Sequence, residues 1–469
     1  MAVTFALGLW GIRRQNSMWG DESVTFQLAH RDLTQMWRTT QHVDLVHAFY
    51  YAVMHEIYGL AGGGLLTLRL PSVTAMSMAA AGVGLLGLRL TGPRAGLLAG
   101  TLFPLIPQIQ QYTQEGRSYA MVCALVTGAT YALVACVARP TWWRWMAYGS
   151  TLLLACLLHE FAVLALPAHG ATLLVSGSPR PVRRAWSMTA ACVATGLLPL
   201  AIRSSGQSAQ VSWITWPDPV QFLGFAAMAI VGVTCARIPT NARSRLPSNI
   251  QGSIQLPALA VPILVLPGLL LLLLSPLKPL FVDRYVLYGT VGFALLLGAG
   301  IDHLHRRRSH SLTSWIAALA VLAALLPATL YLRTPQSRHD DVIAIGNAVR
   351  HAGRPGDGLL YLPGRHRVWT EATPEDIRSL TDLALAQPPI ASNTLAGIEV
   401  PARDIPARIL RFSRIVAVRD AEGAHSDTNA QEEAKTRTLK RCFREGGTTR
   451  ATGARVTVYV RNYRACPAS

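Results

Sequence analysis

Charge is what this sequence has least of. Only 14% of its 469 residues are Asp, Glu, Lys or Arg, where a soluble domain carries about 25%. That deficit excludes an ordinary water-soluble globule and points to a chain that crosses a membrane many times. Acids are scarcest, 25 against 43 basic residues, and lysine is nearly absent, so arginine carries the net charge of +18. The arginines fall in short clusters between apolar runs. No basic segment interleaved with aromatics and no glycine-rich phosphate loop is present, which argues against a nucleic-acid partner. Cysteine is sparse too: none of the seven makes a CxxC or Cys/His spacing suited to zinc. Cys123, Cys136, Cys156, Cys192 and Cys235 lie in or beside apolar runs, as small packing residues do. Cys442 and Cys466 lie in a polar tail, where an oxidising exterior would allow them to pair. No internal repeat is evident.

What is abundant is apolar, 51% of the chain. A membrane helix needs roughly 20 mostly apolar residues. Runs near 72–90, 95–111, 119–138, 146–159, 161–177, 186–202, 220–236, 254–274, 286–301 and 312–332 meet or approach that length. The stretch 146–177 is continuous except for "HE" and reads as two helices with a tight turn. Residues 1–12 are too short to cross alone and read as a stub or the end of a truncated span. Counting them gives about eleven spans. The expected fold is mainly α: a polytopic helical bundle over 1–335, with a small extracytoplasmic α/β domain over 336–469.

Orientation follows from arginine, which concentrates in cytoplasmic loops. One set of loops holds Arg89 and Arg94, Arg139 and Arg144, "PRPVRR" at 179–184, Arg237, Arg243 and Arg245, and "HLHRRR" at 303–308. The alternate set, after the first loop, holds Arg117, Arg203, Lys278 and Arg284. The first set is expected inside, which leaves the loop 13–64 and the tail outside. Before residue 336 the acids are Asp21, Glu22, Asp32, Asp44, Glu56, Glu115, Glu160, Asp218, Asp283 and Asp302. All but Asp302 then lie at the outer face. An outward-facing acidic site explains this. So would long outer loops that simply collect polar residues.

Five stretches can carry chemistry. "MWGDES" at 18–23 sets Asp21 beside Glu22 at the start of the first outer loop. Neighbours on a helix do not share a face, so one can act while the other holds a metal, an arginine or a helix end. The plain alternative is an N-cap, with Asp21 capping and Glu22 in the first turn. In "QHVDLVHAFYYAVMHEIYG" at 41–59, helical spacing puts Asp44, His47 and Tyr51 on one face, suited to sugar hydroxyls and phosphate; an interfacial amphipathic helix is the alternative. "QQYTQEGRSYA" at 110–120 offers Arg117 to a phosphate and carries Tyr119, unless Arg117 pairs with Glu115 or another outer acid. "LLHEFA" sets His159 and Glu160 between apolar runs, where ionisable groups are costly and tend to be functional. "PLFVDRYVLYG" at 279–289 brings Asp283, Arg284 and Tyr285 to the outer mouth of a span, with a snorkelling arginine as the alternative. Trp213 and Trp216 can stack on a sugar or anchor at the interface.

As an ordered set, "WGDES", "HVDLVHAFYY" with "LRLPSV", "QEGRSYA" and "DRYVLY" resemble the polytopic lipid-dependent glycosyltransferases of the C fold. More narrowly they resemble bacterial, especially actinobacterial, members of the protein O-mannosyltransferase and aminoarabinose-transferase group. The resemblance covers about residues 10–335. It implies transfer of a sugar, mannose first, from a polyprenyl-phosphate donor to an acceptor hydroxyl with inversion. Asp21 is the implied base, with Glu22 in the same acidic motif. Some members use a divalent cation, magnesium or manganese, at the donor phosphate; no metal ligands are assigned here. Two rival classes remain: a transporter or polyprenyl-lipid flippase, which needs ionisable groups through the bilayer, and a non-catalytic envelope scaffold.

Overall fold

The computed structural model describes residues 1–207, 219–238, 254–307, 312–423 and 429–466. Asp218, Trp213, Trp216, Arg243, Arg245 and Arg308 lie outside those residues. The chain forms two compact units: a helical unit of residues 1–12, 44–50 and 69–330, and an α/β unit of residues 13–43, 51–68 and 331–469.

In the helical unit the apolar runs fold as helices, and proline and glycine decide where they stop. Among the described residues five helices are long and apolar enough to cross a membrane: Leu65–Leu90, Tyr119–Ala138, Arg180–Ser205, Pro219–Ala236 and Leu256–Leu274. Several of the other expected spans are shorter or broken. Residues 95–111 split into helices Pro93–Leu102 and Pro107–Thr113 around a 3-10 turn at Phe103–Leu105, because Pro104 and Pro107 cannot continue a helix. Trp142–Leu158 has 17 residues and ends at "HE", where His159 is extended. A 3-10 turn, Glu160–Leu164, precedes helix Ala165–Val175. The start holds only an eight-residue helix, Ala2–Leu9. Helices Gly289–Arg307 and Leu312–Tyr331 follow late in the chain.

Some of these helices meet backbone to backbone. A Cβ on Gly298 would stand 2.6 Å from the Ala99 nitrogen, and one on Gly87 would stand 2.6 Å from Cα of Gly96. Only glycine permits this approach, and it locks Pro93–Leu102 against its two neighbours.

The α/β unit contains strands β1 (Gly358–Leu362), β2 (Thr381–Asp382), β3 (Leu385–Gln387), β4 (Ile398–Glu399), β5 (Arg414–Asp420), β6 (Phe443–Ala451) and β7 (Ala454–Arg461). The main sheet runs β2-β1-β5-β7-β6. β1 is parallel to β2 and β5, whereas β5–β7 and β7–β6 are antiparallel. Alternation sends Leu360, Ile415 and Ala417 to one face, with Leu439 of helix Ala430–Cys442. Leu359, Tyr361, Val416 and Val418 go to the other, with Ile345 and Val349 of helix Val342–Ala352. Burial on both faces is why "GLLYL" and "RIVAV" read as continuous apolar runs. Cys442 is joined to Cys466 by a disulfide.

Two tail segments differ from their sequence pattern. Residues 385–400, which look loosely ordered, hold the antiparallel pair β3–β4. "FREGGTTRA" forms edge strand β6; its exposed polar residues carry no burial alternation to read. The loop 13–64 also divides. Its segments 13–43 and 51–68 belong with the tail rather than with the membrane helices. Helix Gly20–Ala29 packs on the 3-10 turn Gly364–Trp369, where Ser23 Oγ and Gln27 Nε2 both donate to the carbonyl of Val368 at 2.9 Å.

Candidate active site

Within the α/β unit the acidic motif opens helix Gly20–Ala29, and its N-cap is Trp19, not Asp21. Asp21 and Glu22 occupy the first turn, where the helix dipole favours negative charge. Glu22 is fully buried and pairs with Arg14 at 2.7 Å, itself fully buried. The same carboxylate accepts the Trp19 N–H at 3.4 Å. Arg14 is aimed there by three successive left-handed residues, Arg14, Gln15 and Asn16, with φ of 44°, 55° and 63°, a conformation costly for L-residues. Asp21 keeps partial solvent access. A third carboxylate joins them: Asp340 Oδ1 accepts the Gly20 N–H at 2.6 Å. A Cβ at Gly20 would meet Asp340 Oδ2 at 2.9 Å, so glycine is what admits it. Burial pushes the Asp340 carboxyl up to about 6; the Gly20 hydrogen bond opposes this and the charge of Asp21 adds to it. Tyr51, in helix Ala48–Ala61, is fully buried in this unit.

The expected helical face of Asp44, His47 and Tyr51 does not form, since the helix begins at Ala48. Asp44 is left-handed (φ 57°), followed by a 3-10 turn over Leu45–His47. Within the helical unit, His47 Nδ1–H donates to Asp44 Oδ1 at 2.8 Å. Arg117 Nη2 donates to His47 Nε2 at 3.2 Å and lies 3.7 Å from Asp44 Oδ2. The bond at Nδ1 fixes which ring nitrogen accepts from the arginine.

Aromatic rings surround this triad. His159 lies 5.3 Å from His47 and 4.7 Å from Tyr285, centroid to centroid. Tyr119 is 5.5 Å from His159, and Phe161 stacks on Tyr285 at 5.1 Å. The Arg284 guanidinium sits over Tyr119 at 5.6 Å and Tyr285 at 5.8 Å. Asp283 accepts from Gln108 Nε2 at 2.9 Å and Tyr112 hydroxyl at 3.2 Å. His47, Arg117, Tyr119, His159 and Tyr285 are all buried, and His159 Nδ1 has no hydrogen-bond partner. Glu160, beside them in sequence, accepts from Ser204 Oγ at 2.8 Å. The structure thus gathers Asp44, His47, Arg117, Tyr119, His159, Asp283, Arg284 and Tyr285 from four separate stretches. Two guanidiniums set among rings suit an anion joined to a sugar: arginine for phosphate, flat rings for the pyranose.

Sequence reasoning missed Gln108, Tyr112 and Phe161 here, and Arg14 and Asp340 in the α/β unit. Gln108 and Tyr112 had a signal: polar residues at i and i+4 in an apolar run share a helix face. Asp340 had none beyond the doublet "DD" before helix Val342–Ala352.

No known protein family and no curated protein matches this sequence. Solved structures do. The crystal structure of ArnT from Cupriavidus metallidurans in the apo state superposes with a TM-score of 0.61 at 12% identity, covering 97% of this chain and 96% of that chain. ArnT bound to undecaprenyl phosphate gives a TM-score of 0.57 at 13% identity over the same shares. At this identity the likeness establishes the fold. The chain has the C-type glycosyltransferase fold of ArnT, a membrane fold, along nearly its whole length.

Proposed function

We propose that this protein is an integral membrane glycosyltransferase. It moves a sugar, with mannose as the first reading, from a polyprenyl-phosphate donor to an acceptor hydroxyl on the outer face of the membrane. One observation carries the reading: a chain with the ArnT fold from end to end buries Arg117, and half-buries Arg284, among His47, His159, Tyr119 and Tyr285. ArnT has been crystallised with undecaprenyl phosphate. A phosphate on an isoprenoid tail needs such basic groups among rings beside apolar helices. The arginine bias of the loops and the Cys442–Cys466 disulfide, a bond kept in oxidising compartments, support an extracytoplasmic α/β unit.

In the mechanism Asp21 takes the acceptor hydroxyl proton as that oxygen forms its bond to the anomeric carbon. The bond from that carbon to the phosphate oxygen breaks on the opposite side, inverting the centre. Polyprenyl phosphate leaves with the electron pair, and Arg117 and Arg284 stabilise its growing charge. Glu22 holds the motif rather than reacting, since Arg14 and the helix end occupy it. Asp44 orients His47, and His47 orients Arg117. Among the described residues no three His, Cys, Asp or Glu side chains stand together to hold a metal ion by themselves; a magnesium or manganese ion at the donor would rest on one or two carboxylates and the phosphate oxygens. No step is routed through a metal.

The test is the full-length protein in proteoliposomes with labelled polyprenyl-phosphate mannose and a hydroxyl acceptor. Wild type transfers the sugar. Asp21→Asn loses transfer by about 10²–10⁴-fold, the usual worth of a general base, while inserting normally. Wild-type turnover by that variant overturns the assignment of the base. Lipid movement without transfer identifies a flippase, and neither activity a scaffold.

A further inference from the structure

The helical unit also holds a groove away from the site above. It has a volume of about 790 Å3 and lies between helix Ala165–Val175 and the first turns of helix Arg180–Ser205. Its rim carries Arg180, Arg183 and Arg184, spaced i, i+3 and i+4 and so on one helix face. Its walls are apolar, with Leu173, Leu174 and Met188 among them. Leu174 and Met188 are 64% and 71% exposed.

The groove is pre-formed. Trp186 lies so close on Gly170 that a Cβ there would meet the indole at 2.7 Å, and its Nε1–H donates to the Tyr148 hydroxyl at 3.3 Å. The indole is therefore fixed as a wall rather than free to fill the space. Among the described residues no acid neutralises the arginines. From Phe161 to Pro217 the chain contains no Asp or Glu, and among the described residues none of the three is in an ion pair. They sit on "PRPVRR", in the loop set whose arginine content reads as cytoplasmic.

We infer that this groove is a binding site for an anionic phospholipid, with the phosphodiester on Arg180, Arg183 and Arg184 and an acyl chain against Leu174 and Met188. Each half of the lipid answers one half of the groove. Three unneutralised guanidiniums complement a phosphate by paired N–H donors, and basic pockets between membrane helices take acidic headgroups. The exposed apolar wall needs hydrocarbon rather than water. A free phosphate would leave that wall uncovered, and a zwitterionic lipid would bring a second cation to the arginines. The inference does not depend on the transferase reading.

Native mass spectrometry of the full-length protein, titrated in detergent with phosphatidylglycerol or phosphatidylcholine, tests it. Wild type should retain phosphatidylglycerol at least about tenfold better, a modest return for three arginines near a headgroup. The triple variant Arg180→Gln, Arg183→Gln, Arg184→Gln should lose that preference. Because arginines also orient membrane proteins, Met188→Trp provides an independent arm: it keeps the charge, fills the groove and should lower retention about fivefold with an unchanged melting temperature in detergent alone. Equal retention of both lipids by wild type, undiminished preference in the triple variant, or unchanged retention by Met188→Trp would each overturn the proposal.

Discussion

The two units spend their charged side chains in opposite ways. In the α/β unit Lys435 is fully buried, yet it bonds Glu399 at 2.7 Å, Glu432 at 2.8 Å and the carbonyl of Tyr361 at 2.9 Å. Arg367 makes a two-pronged pair with Asp382 and reaches Glu399 at 2.8 Å. These charges cross-link β1, β2, β4 and helix Ala430–Cys442 into one network. In the helical unit Arg117 and Arg284 sit instead among rings, with Asp44 at 3.7 Å from Arg117. Cations locked into carboxylates hold a fold together. Cations set beside rings as well as a carboxylate are the ones the proposed transfer assigns to an anion.

That contrast can be broken. The largest effect is expected on transfer. Arg284→Gln should lower turnover of a polyprenyl-phosphate sugar by about 10²–10³-fold, as loss of one charge-stabilising donor does, while the melting temperature barely moves. Arg367→Gln should do the reverse, since it takes the only paired cation from Asp382 among the described residues and one of two from Glu399, and costs about 3–5 kcal/mol of stability. If the two variants behaved alike in a melting assay, the distinction would fail.

Next in size is the pair within the acidic motif. Glu22→Ala leaves Arg14 buried without its carboxylate and should destabilise by about 3–5 kcal/mol, visible as a lower melting temperature. Asp21→Asn should leave the melt unchanged and remove only activity.

The disulfide comes third. Cys442 and Cys466 are 24 residues apart, a loop whose closure is worth about 3 kcal/mol. Reduction of the intact protein should lower the melting temperature of the α/β unit and leave donor binding in the helical unit intact.

The smallest effect concerns Asp340. Its carboxyl is raised to about 6, above its unfolded value, so the folded state holds the proton more tightly. The stability this contributes is complete below about pH 4 and is lost as pH rises through about 6, up to about 3 kcal/mol. Asp340→Asn, which keeps a carbonyl for the Gly20 N–H, should flatten that slope in thermal melts from pH 4.5 to 7.5. An unchanged slope would remove Asp340 from the titration.

Much of this was legible in the sequence, and the reasons are local. Span 119–138 coincides with helix Tyr119–Ala138, because twenty apolar residues without proline leave one solution. The break at "HE" was visible because two polar side chains interrupt hydrocarbon. Strand β5 shows in its β-branched Ile415, Val416 and Val418, and β1 in the short apolar run "GLLYL" after a Pro/Gly turn. What could not be read is non-local or conformational. Nothing in "HVDLVH" says that Asp44 turns left-handed and starts the helix four residues later. Arg14, eight residues from Glu22, becomes its partner only through three left-handed residues in a row. Asp340 lies 320 residues from the Gly20 amide it accepts, a distance no spacing rule spans.

The glycine seam has a further consequence for the arginines. Helix Pro93–Leu102 leads into Gln108 and Tyr112, and helix Gly289–Arg307 follows directly on Asp283, Arg284 and Tyr285. With main chain close against main chain at Gly298 and Ala99, no side chain cushions the two helices at that crossing. Their spacing there is therefore gauged by peptide thickness. A single added methyl at Gly298 would move both helices, altering the reach of Arg284 without touching any residue that meets the substrate.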